Sequence, residues 1–245
     1  LAYTGMLSAA ALFWVASEVA SLGPGQIFLA LGLITIPVFL YVVWLLPGAT
    51  ARVFVFLLSK VFYRVRLRGK ENLPANGGVM LIANHVSFID GVLLLLYLPR
   101  EPRILARADP SHGRLYRRLA LDLGTIFIEP GKRSLVESLD TAQRALEGGE
   151  AVCIFPEGKM TKTGDVGQFQ RGFLRVVEDT DAPIVPIYLD GLWGSIFSWE
   201  GGKVIRKWPR RLPYPVNIVI GPPLEEPIDP EQARQAIVDL GDAED

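Results

Sequence analysis

Gln26 to Leu46 is a run of 21 residues without one charged side chain, and no other feature limits the fold as strongly. As a helix it would extend about 31 Å, the thickness of a bilayer's hydrocarbon core. Pro37 is expected to kink it, which membrane helices tolerate. Leu1 to Leu22 is also mostly apolar and carries small residues, Ser8 to Ala11, that suit close helix packing. Gly23-Pro24-Gly25 separates the two runs, so the pattern predicts a membrane helical hairpin. A cleavable signal would open on a basic segment. Residues 1 to 51 contain no Lys or Arg and a single acid, Glu18. The chain opens on Leu1 without a Met, as expected of a piece of a longer protein.

Charge returns abruptly at Arg52, Lys60, Arg64, Arg66, Arg68 and Lys70. By the positive-inside rule this end is cytoplasmic. The expected location is therefore the cell inner membrane, with the following domain on the cytoplasmic face. Ala49 to Tyr63 reads as a third helix. It either lies in the interface, with Arg52, Lys60 and Arg64 reaching headgroups, or docks on the soluble domain. Across 245 residues the net charge is only −1, and the mean hydropathy of +0.29 suits a chain with a membrane element. No nucleic-acid-binding module accompanies the basic cluster, so no nucleic-acid partner is expected. One cysteine, Cys153, excludes an internal disulfide. With two histidines, His85 and His112, a His/Cys zinc site is not expected, nor any other metal.

From Val65 short apolar runs alternate with helical stretches. Strands are expected at Val79 to Ala83, Arg103 to Ala106, Thr125 to Ile128, Ala151 to Phe155, Ile184 to Leu189 and Val216 to Ile220. Helices are expected at Phe88 to Leu98, Gly113 to Leu123, Leu135 to Leu146, Gly172 to Asp179 and Glu231 to Leu240. The alternation predicts an α/β fold with a mixed, largely parallel sheet flanked by helices. Residues 1–64 would form the membrane and interfacial helices, and 65–245 the soluble domain. In such sheets ligands gather beyond the carboxyl ends of strands, where two polar clusters fall.

The first cluster is Asn84-His85-Val86-Ser87-Phe88-Ile89-Asp90. A strand-to-helix turn could bring Asp90 onto one ring nitrogen of His85. The other nitrogen would then be open to take a proton from a hydroxyl. On spacing alone a helix capped by Ser87 beside a satisfied core histidine is favoured, because His-x4-Asp is a short pattern. The second cluster is Phe155-Pro156-Glu157-Gly158, where Gly158 would let backbone approach a ligand and Glu157 would offer a carboxylate. Cys153 sits inside an apolar strand and reads as a buried core residue rather than a nucleophile.

Together and in this order, with Gly124-Thr125-Ile126-Phe127-Ile128 and Val185-Pro186-Ile187, the clusters resemble the motifs of the glycerolipid acyltransferases, the family typified by 1-acylglycerol-3-phosphate acyltransferase. The resemblance runs from about Val65 to Leu224. It implies the glycerolipid acyltransferase fold and a direct transfer of an acyl group from an acyl carrier protein or coenzyme A thioester to a lysophospholipid hydroxyl. His85 would be the base and Asp90 its partner, with no cofactor beyond the thioester. Asn84, Ser87, Lys132, Arg133, Glu157, Gly158, Lys159 and Arg171 are the expected substrate-binding residues. The expected partners are the bilayer, the lysophospholipid and the thioester.

Two departures bear on the headgroup. Glu129-Pro130 stand where the family often has Arg, and Lys159-Met160-Thr161 where it often has Thr-Arg-Ser. With Gly191-Leu192-Trp193-Gly194-Ser195 these variants resemble more closely the acyltransferase domain of bifunctional 2-acylglycerophosphoethanolamine acyltransferase/acyl-ACP synthetases. In some of these that domain follows a lysophospholipid transporter, whose last helices residues 1 to 47 resemble. Lysophosphatidylethanolamine is therefore the expected acceptor, with 1-acylglycerol-3-phosphate as the alternative; the alternative from another class is an inactive fragment of a lysophospholipid transporter fusion.

Overall fold

The computed structural model describes residues 23–45, 47–108, 113–129, 131–202, 212–226 and 228–243. They fall into two compact units, Leu1–Thr50 and Ala51–Asp245. The division lies ahead of the expected one at 64, because the helix before Tyr63 makes its contacts with the α/β unit. The first half of the expected hairpin, Leu1 to Leu22, lies outside the described residues, as does His112.

In the first unit, α1 spans Pro24–Leu45. It is the one helix among the described residues long and apolar enough to cross a membrane. Apart from Ile27, which is buried, most of its apolar side chains are exposed, Phe28, Leu29, Ile34 and Phe39 each by more than half. A helix without a polar face has no stable orientation at a water-facing surface. Thr35 Oγ1 donates to Leu31 O at 2.8 Å, inside the turn that Pro37 weakens.

Helix α2, Pro47–Phe62, runs directly into β1, Tyr63–Arg68. Its part within the second unit docks through one face. Ser59 Oγ lies 2.9 Å from Tyr97 OH, and the Phe56 and Tyr97 rings are 5.7 Å apart. Lys60 Nζ sits over both rings, and Arg52 donates to Leu95 O at 3.2 Å. The opposite face, Val53, Phe54, Leu57, Leu58 and Val61, is exposed and apolar. Of the two sequence readings, docking on the α/β unit is the one seen, and it takes Arg52 and Lys60 with it.

The sheet has seven strands in the order β1-β7-β6-β2-β5-β3-β4. The remaining strands are β2 Val79–Ala83, β3 Pro102–Arg107, β4 Ile126–Ile128, β5 Ala151–Ile154, β6 Ile184–Asp190 and β7 Tyr214–Ile220. All neighbours pair in parallel except β6 with β7. The helices are α3 Asp90–Tyr97, α4 Arg114–Asp122, α5 Lys132–Glu147, α6 Gly172–Val177 and α7 Pro230–Asp242.

Side-chain alternation builds a core on each face of the sheet. Val79, Leu81 and Ala83 of β2, with Cys153 and Ile187, meet Leu93 and Leu94 of α3. Met80, Ile82 and Val152 face the other way onto Ala142 of α5, Phe173 of α6 and Ile237 of α7. Leu81 is fully buried at the centre. Leu81→Ala is expected to cost about 2–5 kcal/mol, read as a fall in the unfolding midpoint.

The sequence reading passes over one strand, β1. Its arginines suggested a membrane-flanking cluster. In the structure Tyr63, Val65 and Leu67 turn inward while Arg64, Arg66 and Arg68 face solvent. Charged residues along an outer strand also discourage pairing with another chain.

Candidate active site

Strands β6, β2 and β5 are adjacent and parallel, so their carboxyl ends open onto the same edge of the sheet. Three loops meet there, those beginning at Asn84, Phe155 and Gly191.

The first loop bends back on itself around one carboxylate. Asp90, the first residue of α3, is fully buried. Its Oδ2 accepts hydrogen bonds from Val86 N at 2.7 Å, Ser87 N at 2.8 Å and His85 Nδ1 at 2.9 Å. Oδ1 has no partner among the described residues, so all three bonds converge on Oδ2. Burial pushes the Asp90 carboxyl above its ordinary range, while His85 and the two backbone donors pull it down. Three donors converging on one oxygen is the arrangement an ionised carboxylate takes. With Asp90 accepting, the imidazole proton is on Nδ1 and the lone pair on Nε2. Nε2 has no hydrogen-bond partner among the described residues, and the His85 side chain is 23% exposed. The ring can thus reach a ligand.

The alternative of a capped helix beside a core histidine does not hold. The residue preceding α3 is Ile89, without a side-chain cap. Ser87 Oγ lies only at the 3.5 Å limit from Ile89 N. Here the Asp90 side chain gathers the turn's N–H groups.

The second loop holds His85 from outside. The Phe155 ring stacks on the imidazole, centroids 4.3 Å apart and planes at 21°. His85 N donates to Glu157 Oε1 at 2.8 Å, and Thr161 N donates to His85 O at 2.8 Å. Glu157 is buried, its carboxyl pushed up by that burial against the pull of its two backbone donors, His85 N and Gly167 N. Gly158 turns the chain at φ 66°, where an added Cβ would come within 2.7 Å of the Gln170 amide. The third loop pairs with the first: Phe88 N donates to Phe197 O at 3.2 Å.

Several residues expected to bind substrate have other work. The Asn84 carboxamide is spent on the backbone of Leu189, donating at 3.0 Å and accepting at 2.7 Å, which ties β2 to β6. Ser87 is fully buried beside Ser198. Both oxygens of Glu157 are taken by backbone, and Gly158 makes a turn. Lys159 and Arg171 are exposed near the neck of the second loop, where Gln170 N donates to Pro156 O at 2.9 Å. Arg133 is 94% exposed and pairs with Glu137 at 2.9 Å. It follows β4, three strands from β2, or about 14 Å across the sheet. Lys132 opens α5, and its side chain lies outside the described residues. The sequence reading did not assign functional roles to Phe155, Thr161 and Gly167. A signal existed for the first: alternation from Ala151 through Cys153 puts Phe155 on the dyad's face of the sheet.

Cys153 is fully buried in the core beneath the site. Burial, with a smaller contribution from the Asp90 charge, pushes its thiol well above the ordinary range. The thiolate is therefore scarce at neutral pH. Cys153→Ala is expected to keep most of the activity, and alkylation of the folded protein to be slow. Complete inactivation of a folded variant would instead indicate a covalent thioester route.

Fold and site together define a three-layer α/β domain that presents a hydrogen-bonded His–Asp pair at the carboxyl ends of parallel strands. The Acyltransferase family matches residues 64–190, and the chain belongs to that family. It is 27% identical over 66% of its length to a probable 1-acyl-sn-glycerol-3-phosphate acyltransferase of Mycoplasma pneumoniae. It is 30% identical over 53% of its length to a chloroplastic 1-acyl-sn-glycerol-3-phosphate acyltransferase of Arabidopsis thaliana. The chain spans 62% and 37% of the lengths of those two relatives. The crystal structure of the 1-acyl-sn-glycerophosphate acyltransferase PlsC from Thermotoga maritima shares the fold. The TM-score is 0.56 at 22% identity, covering 80% of this chain and 76% of that one.

Proposed function

We propose that this chain transfers a fatty acyl group from an acyl thioester to a lysophospholipid hydroxyl. The observation that carries the reading is the His85–Asp90 pair, whose Nε2 is open where three loops meet. His85 Nε2 removes the proton of the glycerol hydroxyl as its oxygen attacks the thioester carbonyl carbon. Asp90 holds the tautomer and stabilises the imidazolium. Backbone N–H groups stabilise the oxyanion of the tetrahedral intermediate. On its collapse the carbon–sulfur bond breaks, and the proton passes from His85 to the departing thiolate. The donor is acyl carrier protein or coenzyme A thioester, and the chemistry needs no further cofactor.

The acceptor we propose is 1-acylglycerol-3-phosphate. The names of the two relatives favour it over the lysophosphatidylethanolamine expected from Lys159 and its neighbours. Lys159 and Arg171 are the candidates for the headgroup phosphate, since a buried or half-buried phosphate draws cationic donors. The test is kcat/KM for the two acceptors with one donor. A clear preference for 1-acylglycerol-3-phosphate is the expected result. A preference for lysophosphatidylethanolamine would restore the sequence-based expectation, and turnover of neither would overturn the proposal.

We further propose that α1 crosses the inner membrane and that the exposed apolar face of α2 rests on its cytoplasmic surface. Such an attachment is hydrophobic, so salt should not break it. The protein is expected to stay in the membrane fraction through a high-salt wash; release by salt alone would contradict the anchor.

A further inference from the structure

Glu157 is a carboxylate that the proposed chemistry does not use, and it is only 4% exposed. A buried charge is costly unless hydrogen bonds satisfy it. Here each oxygen meets one backbone donor. Oε1 accepts from His85 N at 2.8 Å, and Oε2 accepts from Gly167 N at 3.0 Å. The side chain therefore joins the segment that carries the base to the far end of the second loop.

That loop is closed at its neck by Gln170. Its N–H donates to Pro156 O, and its side chain approaches Glu157 O at 3.4 Å. Farther round, Val166 O accepts from Arg234 of α7 at 3.3 Å, so the loop rests on a helix anchored in the core. From this rigid base the loop contacts His85 three times. Phe155 sets the plane of the ring, the Glu157 side chain holds the N–H, and the Thr161 N–H holds the carbonyl. Asp90 fixes Nδ1. With ring plane, Nδ1 and both sides of the peptide fixed, the position of Nε2 is fixed as well.

We infer that Glu157 is a positioning residue that holds the His85 backbone in register with the second loop, and not a ligand for substrate. The inference rests on the reading of His85 as the base. It makes the charge of Glu157 a matter of geometry. Two backbone N–H groups approach from different sides, and a carboxylate accepts from both. An amide of the same shape turns an N–H₂ toward one of them, leaving two donors face to face.

Glu157→Gln in the full chain tests this. The measurements are kcat and KM for the lysophospholipid with one thioester donor, the unfolding midpoint, and hydrogen exchange of the segment containing the His85 amide. A base displaced by a fraction of an ångström to an ångström loses up to about 100-fold, so kcat is expected to fall about 10- to 100-fold. KM for the acceptor is expected to change less than about threefold, because binding itself is untouched. The His85 amide should exchange faster, with the midpoint close to that of the parent. Gly167→Ala is the second variant. Its Cβ would lie 2.8 Å from Oε2 and would push the carboxylate while keeping its charge. It should lower kcat in the same direction, and it is read by the same criteria if Glu157→Gln does not fold. A rise in KM with kcat maintained would make Glu157 a substrate ligand and overturn the inference. Unchanged kcat per folded molecule would make it purely structural and also overturn it. His85→Ala separates the two levels: if that variant keeps its activity, the base assignment fails whatever Glu157 does.

Discussion

Replacing His85 with Ala is expected to lower acyl transfer by about 100- to 10,000-fold, the range a positioned general base contributes. The fold should survive. The ring is partly exposed and lies beyond the carboxyl end of β2, and the backbone bonds to Glu157 and Thr161 do not depend on the side chain. The loss should appear in kcat, with KM for the acceptor little changed. Initial rates with a saturating thioester, alongside the unfolding midpoint, check it. Near-parent rates in a folded variant would remove His85 from the chemistry and leave the fold assignment intact.

Asp90→Asn is expected to cost more than its small change in shape suggests. Oδ2 accepts three hydrogen bonds, and an amide oxygen in the same place can still receive them. The amide nitrogen then takes the position of Oδ1, which is buried with no described partner. An unsatisfied buried donor costs about 1–3 kcal/mol, so the unfolding midpoint should fall modestly. The catalytic loss is larger. A neutral amide does not stabilise an imidazolium, and it can bind the ring in the wrong tautomer. In His–carboxylate systems of this kind the loss is about 10,000-fold in kcat. Asp90→Asn should thus approach His85→Ala in rate while remaining folded, which rate and unfolding measurements on the same preparation decide. Activity within about tenfold of the parent would mean that the carboxylate only organises the turn.

How far the sequence reaches depends on how local each cause is. Strands β2 and β5 are apolar on both faces, so their identity is written in a few consecutive residues and was readable to within one residue. β1 was not, because Arg64, Arg66 and Arg68 belong equally to a membrane flank and to the solvent side of an edge strand. The His85–Asp90 contact is five residues long and closes within one turn, which is why the spacing suggested it. Asn84 and Glu157 are different. Their partners Leu189 and His85 lie 105 and 72 residues away, and which backbone groups need an acceptor is settled only when β2, β5 and β6 are side by side. A polar residue beside a catalytic histidine reads in sequence as a ligand for substrate. In the folded chain these two complete the backbone instead. The headgroup site stayed open for the same reason, since exposed cations such as Lys159 and Arg171 have no neighbour among the described residues that fixes their direction.

The central claim is transfer from thioester to lipid hydroxyl. Its most direct measurement is an acyl-transfer assay of the membrane-embedded full chain, crossing acyl carrier protein and coenzyme A thioesters with 1-acylglycerol-3-phosphate and lysophosphatidylethanolamine. The account predicts diacyl phospholipid formed in step with free thiol, and no thiol release when the lysophospholipid is omitted. Thiol released at the same rate without acceptor, yielding free fatty acid, would make the protein a thioester hydrolase and contradict the account.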